Sequence, residues 1–209
     1  FVVKEVAAEN EIYASFMPKP IFGENGSGMH THMSIFEGDR NLFYSKDAPY
    51  HLSDMARHFM AGILHHIKDL TLVLNQWVNS YKRLVVGYEA PVYVSWGRRN
   101  RSSLIRVPMF KDGHEKSTRV ELRSPDPACN PYLAFALMLG AGLDGIENKY
   151  PLPEPIEENI FTMSKDKREK LKIDALPDSL ENAIRLTEKS KLVRDILGDH
   201  IFETLIANK

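Results

Sequence analysis

Thr118-Arg-Val-Glu-Leu-Arg-Ser124 alternates polar and apolar side chains, and soon after it Asn130-Pro131 opens the mostly apolar run Tyr132 to Leu143. In a strand, alternate residues share a face, so Arg119, Glu121 and Arg123 point one way and Val120 and Leu122 the other. Asparagine is a preferred N-cap, and proline suits the first helical position because its missing N–H has no helical partner to lose. A strand followed by a capped helix therefore divides the chain. Working towards the N-terminus, residues 91–95 and 103–109 show the same period of two and are predicted strands. Residues 1–36 are also read as β, with Val2, Ile12, Phe16 and Ile35 in short runs broken by Pro18, Pro20 and the turn Gly23 to Gly28. Between these regions Ser53 caps a helix whose stripe is Leu52, Met55, Ala56, Phe59, Ile63 and Ile67. Towards the C-terminus, Pro151-Leu-Pro-Glu-Pro155 is a stiff connector. Short helices follow it: one capped by Ser179, one from Ser190 to a left-handed stop at Gly198, and one capped by Asp199. Strands followed by segregated helices predict an α+β fold, one domain over 1–209 with strands concentrated in 1–128 and helices in 129–209.

The chain has 209 residues, with 27 Lys and Arg against 28 Asp and Glu and a formal net charge of −1. That balance excludes both a general nucleic-acid footprint and the acidic signature of disorder. The single Cys129 cannot form an internal disulfide, no leader pattern opens the chain, and the longest apolar run is too short to span a bilayer. A cytoplasmic protein with no nucleic-acid or membrane partner is expected. Phe1-Val2-Val3 reads as the middle of an element, so the sequence is expected to belong to a longer one. Neutrality hides an asymmetry: residues 81–123 carry a net +6, while 1–80 and 144–209 carry −3 each. A basic centre between acidic ends fits a concave anion site, and a solvated basic face with surface ion pairs is the competing account.

His30-Thr-His-Met-Ser34 places His30, His32 and Ser34 on one strand face after the glycine-rich turn. Two imidazoles so placed suit a metal or phosphate site, and also a pair of structural histidines. Glu121 between Arg119 and Arg123 is either a salt-bridge ladder or a metal ligand among anion-binding arginines. One carboxylate and one imidazole are too few for a divalent cation, and no acidic cluster elsewhere supplies more. Arg83, Arg101 and Arg106 lack helical i,i+4 spacing, and planar permanent cations suit phosphate and carboxylate. Gly87-Tyr88-Glu89 reads as a loop tip with a lone acid in a basic stretch. No Walker A sequence is present, and Gly26-x-Gly28 alone is weak. A metal-dependent hydrolase built on His-x-His would need further ligands at strand ends, whereas His51, His58, His65, His66, His114 and His200 fall in helices and loops.

Four phrases occur in order: Asn25-Gly-Ser-Gly-Met-His-Thr-His-Met-Ser34, Asn79-Ser-Tyr-Lys-Arg-Leu-Val-Val-Gly-Tyr-Glu-Ala-Pro91, Arg99-Asn-Arg-Ser-Ser103 and Arg119-Val-Glu-Leu-Arg-Ser-Pro-Asp-Pro-Ala128. Together they resemble the C-terminal part of the catalytic domain of type I glutamine synthetase, over essentially the whole chain. The resemblance implies an antiparallel sheet with packed helices, and ATP-dependent ligation of glutamate and ammonia through γ-glutamyl phosphate. It implies Mg²⁺ or Mn²⁺ on His30 and Glu121, and glutamate against Asn25, Gly26, Arg83, Glu89, Arg101 and Arg123. Nucleotide is implied against His32, Met33, Ser34, Lys116, Arg119, Arg101 and Arg106. Arg101 and Arg106 would stabilise the transferring phosphoryl group, and Glu89 would close a flap over the intermediate and form the ammonium pocket.

Two departures stand out. Val86 replaces the proline usual before Gly-Tyr-Glu, and Phe161 stands where members regulated by adenylylation carry a tyrosine. The family's N-terminal β-grasp domain and the strands bearing the remaining metal ligands are not expected within these 209 residues, which alone are therefore expected to be inactive. The parent protein is expected to be a homododecamer with shared sites. Alternatives are a γ-glutamyl-polyamine or γ-glutamyl-amine ligase of the same superfamily, and a non-catalytic relative.

Overall fold

The computed structural model describes residues 1–88, 90–111 and 113–209. In chain order its elements are α1 (Val2–Glu9), β1 (Thr31–Met33), β2 (Phe36–Glu37), β3 (Arg40–Asn41), α2 (Asp54–Leu74), α3 (Val78–Arg83), β4 (Tyr93–Gly97), β5 (Ser103–Arg106), β6 (Val120–Leu122), α4 (Pro131–Glu147), α5 (Lys165–Lys170), α6 (Leu180–Thr187) and α7 (Lys191–Ala207). The fold is α+β. Its main sheet runs β1-β6-β5-β4, and β2 and β3 form a separate hairpin.

Register divides the sheet into a polar and an apolar face. Thr31 opposes Leu122, His32 opposes Glu121, Ile105 opposes Leu122 and Arg106 opposes Glu121. Directly opposed side chains share a face, so His32, Glu121 and Arg106 stand together. Val120, Leu122 and Ile105 turn the other way and are fully buried, in one core with Phe59, Ile63 and Ile67 of α2. Burial of this apolar surface is the main force holding the polar face rigid.

Both long helices start as their caps predict: Ser53 Oγ accepts from Ala56 N at 3.2 Å, and Asn130 Oδ1 accepts from Tyr132 N at 3.0 Å. They cross where Gly62 meets Gly145. A Cβ on Gly62 would lie 2.1 Å from the Ala141 carbonyl oxygen and 2.7 Å from Gly145 Cα, so only backbone fits there. Gly62→Ala should force the helices apart and cost about 1–3 kcal/mol. That lowers Tm by about 2–4 °C per kcal/mol, readable in a thermal scan. An unchanged Tm would mean the helices do not close this tightly.

Several expectations need correction. Residues 2–9 are helical rather than β: Lys4, Glu5, Ala7, Ala8 and Glu9 are good helix formers, and no neighbouring strand offers the valines a ladder. Residues 12–30 form no strand, so His30 stands just before β1 and Ser34 just after it. Two strands are shorter than the alternation predicted, at 103–106 and 120–122, and the one expected at 91–95 lies two residues later, at 93–97. β1–β6 and β6–β5 are antiparallel as expected, but β4 runs parallel to β5. The predicted stop at Gly198 survives as a break inside α7, with φ 74° and ψ 156°. Among the described residues, no helix is long and apolar enough to cross a membrane.

Candidate active site

The approach to β1 is set by a few backbone bonds. Ser27 N donates to Pro18 O at 2.8 Å, and Met29 N donates to Pro125 O at 2.8 Å, so residues 28–33 run beside 120–125. Gly26 lies so close to its neighbours that a Cβ would meet the Pro18 carbonyl oxygen at 2.3 Å and Arg83 Cγ at 3.1 Å. The glycine turn is thus the condition for His30 to reach the sheet.

His30 Nδ1 lies 2.9 Å from Glu121 Oε1, and Arg106 Nε lies 2.5 Å from Glu121 Oε2. Arg123 Nε is 3.9 Å from Oε1. The Glu121 side chain is 3% exposed, whereas those of His30 and Arg106 are each 36% exposed. Burial alone would raise the Glu121 pKa, but hydrogen bonds from His30 and Arg106 outweigh it and pull the carboxyl down to about 2. The carboxylate is therefore ionised at any working pH, and His30 Nδ1 donates to it.

The next imidazole has the opposite tautomer. Arg119 Nε lies 3.1 Å from His32 Nδ1. A guanidinium only donates, so His32 Nδ1 accepts and its proton sits on Nε2. Burial, with the nearby Arg119, Arg106 and His30, outweighs Glu121 and lowers the His32 pKa, which favours this neutral form.

Arg83 and Arg123 are buried anchors as well as site residues. Arg83 ends α3 and donates from Nη1 to Ser124 O at 2.7 Å and Pro125 O at 3.3 Å, and from Nη2 to Arg123 O at 3.1 Å. Burial pulls its pKa down to about 10, so it stays charged at neutral pH. Arg123 Nη1 donates to Arg101 O and to Ser103 O. Both arginines line one cavity of about 360 Å³ with Asn25, Gly26, Gly28, His30, Tyr88 and Ala90. A guanidinium has five N–H donors, so Arg83 can hold the backbone and still face this cavity.

Not every candidate converges there. Arg101 is exposed and lines a neighbouring cavity with Gly87, Asn100, Glu157, Asn159 and Phe161. The four arginines therefore do not ring one cavity, although Arg123 joins the two through the Arg101 carbonyl. His32, Met33 and Ser34 border a cleft against Phe59, Phe135 and Leu139. Lys116 is exposed and pairs with Asp39 at 3.2 Å. Glu89 lies outside the described residues. One residue that no motif flagged supports the site: Asn75 donates to Ser124 O at 2.9 Å and to the buried Asp126 at 2.9 Å, fixing the strand exit that Arg83 also holds. An asparagine ending a long helix was the one available sequence signal.

The 2.9 Å between His30 Nδ1 and Glu121 Oε1 is an ordinary hydrogen-bond distance, and it is also close to the about 3.0 Å between two ligands at right angles about a Mg²⁺ held at about 2.1 Å, so the pair is compatible with neighbouring metal ligands. A cation can replace the proton that imidazole and carboxylate share. Among the described residues no third His, Cys, Asp or Glu joins them.

The family described as "Glutamine synthetase, catalytic domain" matches residues 1–209. Glutamine synthetase of Thermotoga maritima is 54% identical over 205 residues, covering 98% of this chain and 46% of the relative. That of Methanosarcina mazei is 53% identical over 209 residues, covering 100% and 46%. The solved GmaS/ADP complex is similar at a TM-score of 0.87 with 34% identity, covering 100% of this chain and 47% of that one. The chain spans about half the length of the curated relatives it matches.

Proposed function

The chain belongs to the glutamine synthetase catalytic-domain family, and on that premise we propose that it forms part of an ATP-dependent ligase joining L-glutamate to ammonia through γ-glutamyl phosphate. The observation that carries this reading is the contact of buried Glu121 with His30, which lines one cavity with Asn25, Gly26, Arg83 and Arg123. Glutamate lies in that cavity, its negative charge met by Arg83 and Arg123 and its amino group by Asn25 and the Gly26 backbone. ATP approaches along the polar sheet face, where the His32 Nε2–H can donate to phosphate and Ser34, Lys116 and Arg119 line the approach. Arg106 and Arg101 approach the transferring phosphoryl group from two sides, and fixed cations there stabilise charge that is spread over its oxygens.

His30 and Glu121 would hold a Mg²⁺ or Mn²⁺ ion, whose chemistry is neutralisation of the nucleotide phosphates. The remaining ligands come from sequence outside these 209 residues. Glu89 is assigned the flap role, excluding water from the acyl phosphate and receiving the ammonium proton. The full protein works in the cytoplasm as a homo-oligomer with shared sites, and the apolar C-terminal helix with its half-exposed Ile201 is available for subunit contact.

The likeness to GmaS gives weight to a second reading, a ligase for another amine, but identities above 50% to glutamine synthetases favour ammonia. The test is phosphate release from ATP by the full-length gene product with glutamate and a panel of amines. Ammonia alone should support turnover, and the 209-residue chain purified alone should support none. Preference for an alkylamine or polyamine would move the assignment to the second reading. Robust glutamine synthesis by the short chain would overturn the shared-ligand account.

A further inference from the structure

Lys19 is buried, 8% exposed, and no motif accounts for it. Its backbone is fixed: Lys19 N donates to Asn79 Oδ1 at 2.7 Å, and Asn79 Nδ2 donates back to Lys19 O at 3.0 Å. The segment before the glycine turn is thereby bonded to α3, the helix that ends in Arg83. The side chain then reaches across. Its ammonium donates to Glu24 O and stands 3.7 Å from the centroid of the Tyr88 ring. A charge removed from water in this way is usually met by a carboxylate; here it is met by a carbonyl oxygen and an aromatic face.

The two contacts lie in two different loops. Glu24 belongs to the turn that carries Asn25, Gly26 and Gly28, and Tyr88 lies in the loop segment 84–88 that follows α3 and turns at Gly87, φ 99°. Both loops border the cavity that also holds His30, Arg83 and Arg123. Tyr88 also lines a larger cavity, shared with Lys19 itself and with Met17, Pro20, Phe22 and Val85.

We infer that Lys19 is a positioning residue: its ammonium clasps loop 84–88 to the glycine turn and sets how often the loop is seated over the cavity. One cation–π contact alters a two-state loop equilibrium by about 2- to 30-fold, enough to favour seating and too little to lock it. The clasp itself rests on geometry alone, while its use in turnover rests on the ligase reading.

The experiment is peptide-level hydrogen exchange on the full-length gene product. Lys19→Met should speed exchange at 84–88 by about 2- to 30-fold, and α3 should be unchanged because the Asn79 bonds are to backbone. Lys19→Arg, which keeps a cation, should restore protection. At 84–88, Tyr88→Phe should exchange at the native rate and Tyr88→Leu at the rate of Lys19→Met, and the double variant Lys19→Met/Tyr88→Leu should be no faster than either. Unchanged exchange in Lys19→Met, or equal damage from Tyr88→Phe and Tyr88→Leu, overturns the clasp. In turnover, Lys19→Met should raise the glutamate KM by the same factor, and Lys19→Arg should rescue it. Faster exchange with an unmoved KM overturns the positioning role and leaves the ligase reading standing. Absence of any turnover by the native full-length protein overturns the ligase reading and leaves the exchange result intact.

Discussion

Glu121→Ala is expected to cost the full-length gene product at least about 100-fold in ligase activity at fixed metal, and to destabilise the fold by about 3 kcal/mol. Both losses come from one carboxylate, 2% exposed as a residue, bonded to His30 through one oxygen and to Arg106 through the other. Truncation leaves two cations and an imidazole facing each other without their anion. The lower end of the usual range applies because His30 and Arg106 are each about a third exposed and water can solvate them.

Acid titration gives an independent measure of the same quantity. The carboxyl is held near 2, against 4.5 for an unperturbed one, a difference of about 3 kcal/mol at neutral pH. A depressed pKa contributes stability that is complete above about pH 5 and lost as pH falls towards 2. In Glu121→Gln this part of the acid limb should disappear, so native and variant stabilities converge at pH 2 and diverge at pH 7. Parallel curves across that range would show that Glu121 gains nothing from its partners. The metal concentration for half-maximal activity should meanwhile rise 10- to 100-fold or more. An unmoved metal requirement would remove Glu121 from the ligand set.

The polar face of the sheet was legible in sequence because strand periodicity is rigid. Once 118–124 is a strand, Arg119, Glu121 and Arg123 must share a face, and the register with 31–33 brings His32 opposite Glu121. The cavity was legible only through resemblance, since Arg83 and Arg123 are far apart in the chain and nothing in their spacing shows that one guanidinium holds the carbonyl of the other. Local pattern failed where tertiary context decided. Phe1-Val2-Val3 looks like a strand, yet without a partner the chain there follows helix propensity. Arg101 shares its motif with Arg99 and Asn100, and the turn that Asn100 makes onto Ile156 and Glu158 directs it to a separate cavity. Lys19 had no signal at all, because a lone lysine between prolines has no period, and the partners of its ammonium lie in loops.

Arg106→Gln separates the two roles this residue has been given. In the structure it is the hydrogen-bond partner of Glu121; in the proposed reaction it stabilises the transferring phosphoryl group. Loss of a fixed donor to developing charge typically costs about 10²–10³-fold in kcat, and that drop is expected here. The same substitution frees Glu121 Oε2 and removes a positive charge next to the proposed metal ligands. The metal concentration for half-maximal activity should therefore stay level or fall, opposite in sign to the rise in Glu121→Gln. Nucleotide KM should change far less than kcat, because the contact strengthens only as charge moves. Arg106→Lys keeps the charge without the planar fork and should fall between the native protein and Arg106→Gln. If kcat is retained in Arg106→Gln while the metal requirement shifts, Arg106 serves only to hold Glu121, and Arg101, from its neighbouring cavity, becomes the remaining arginine for the phosphoryl group.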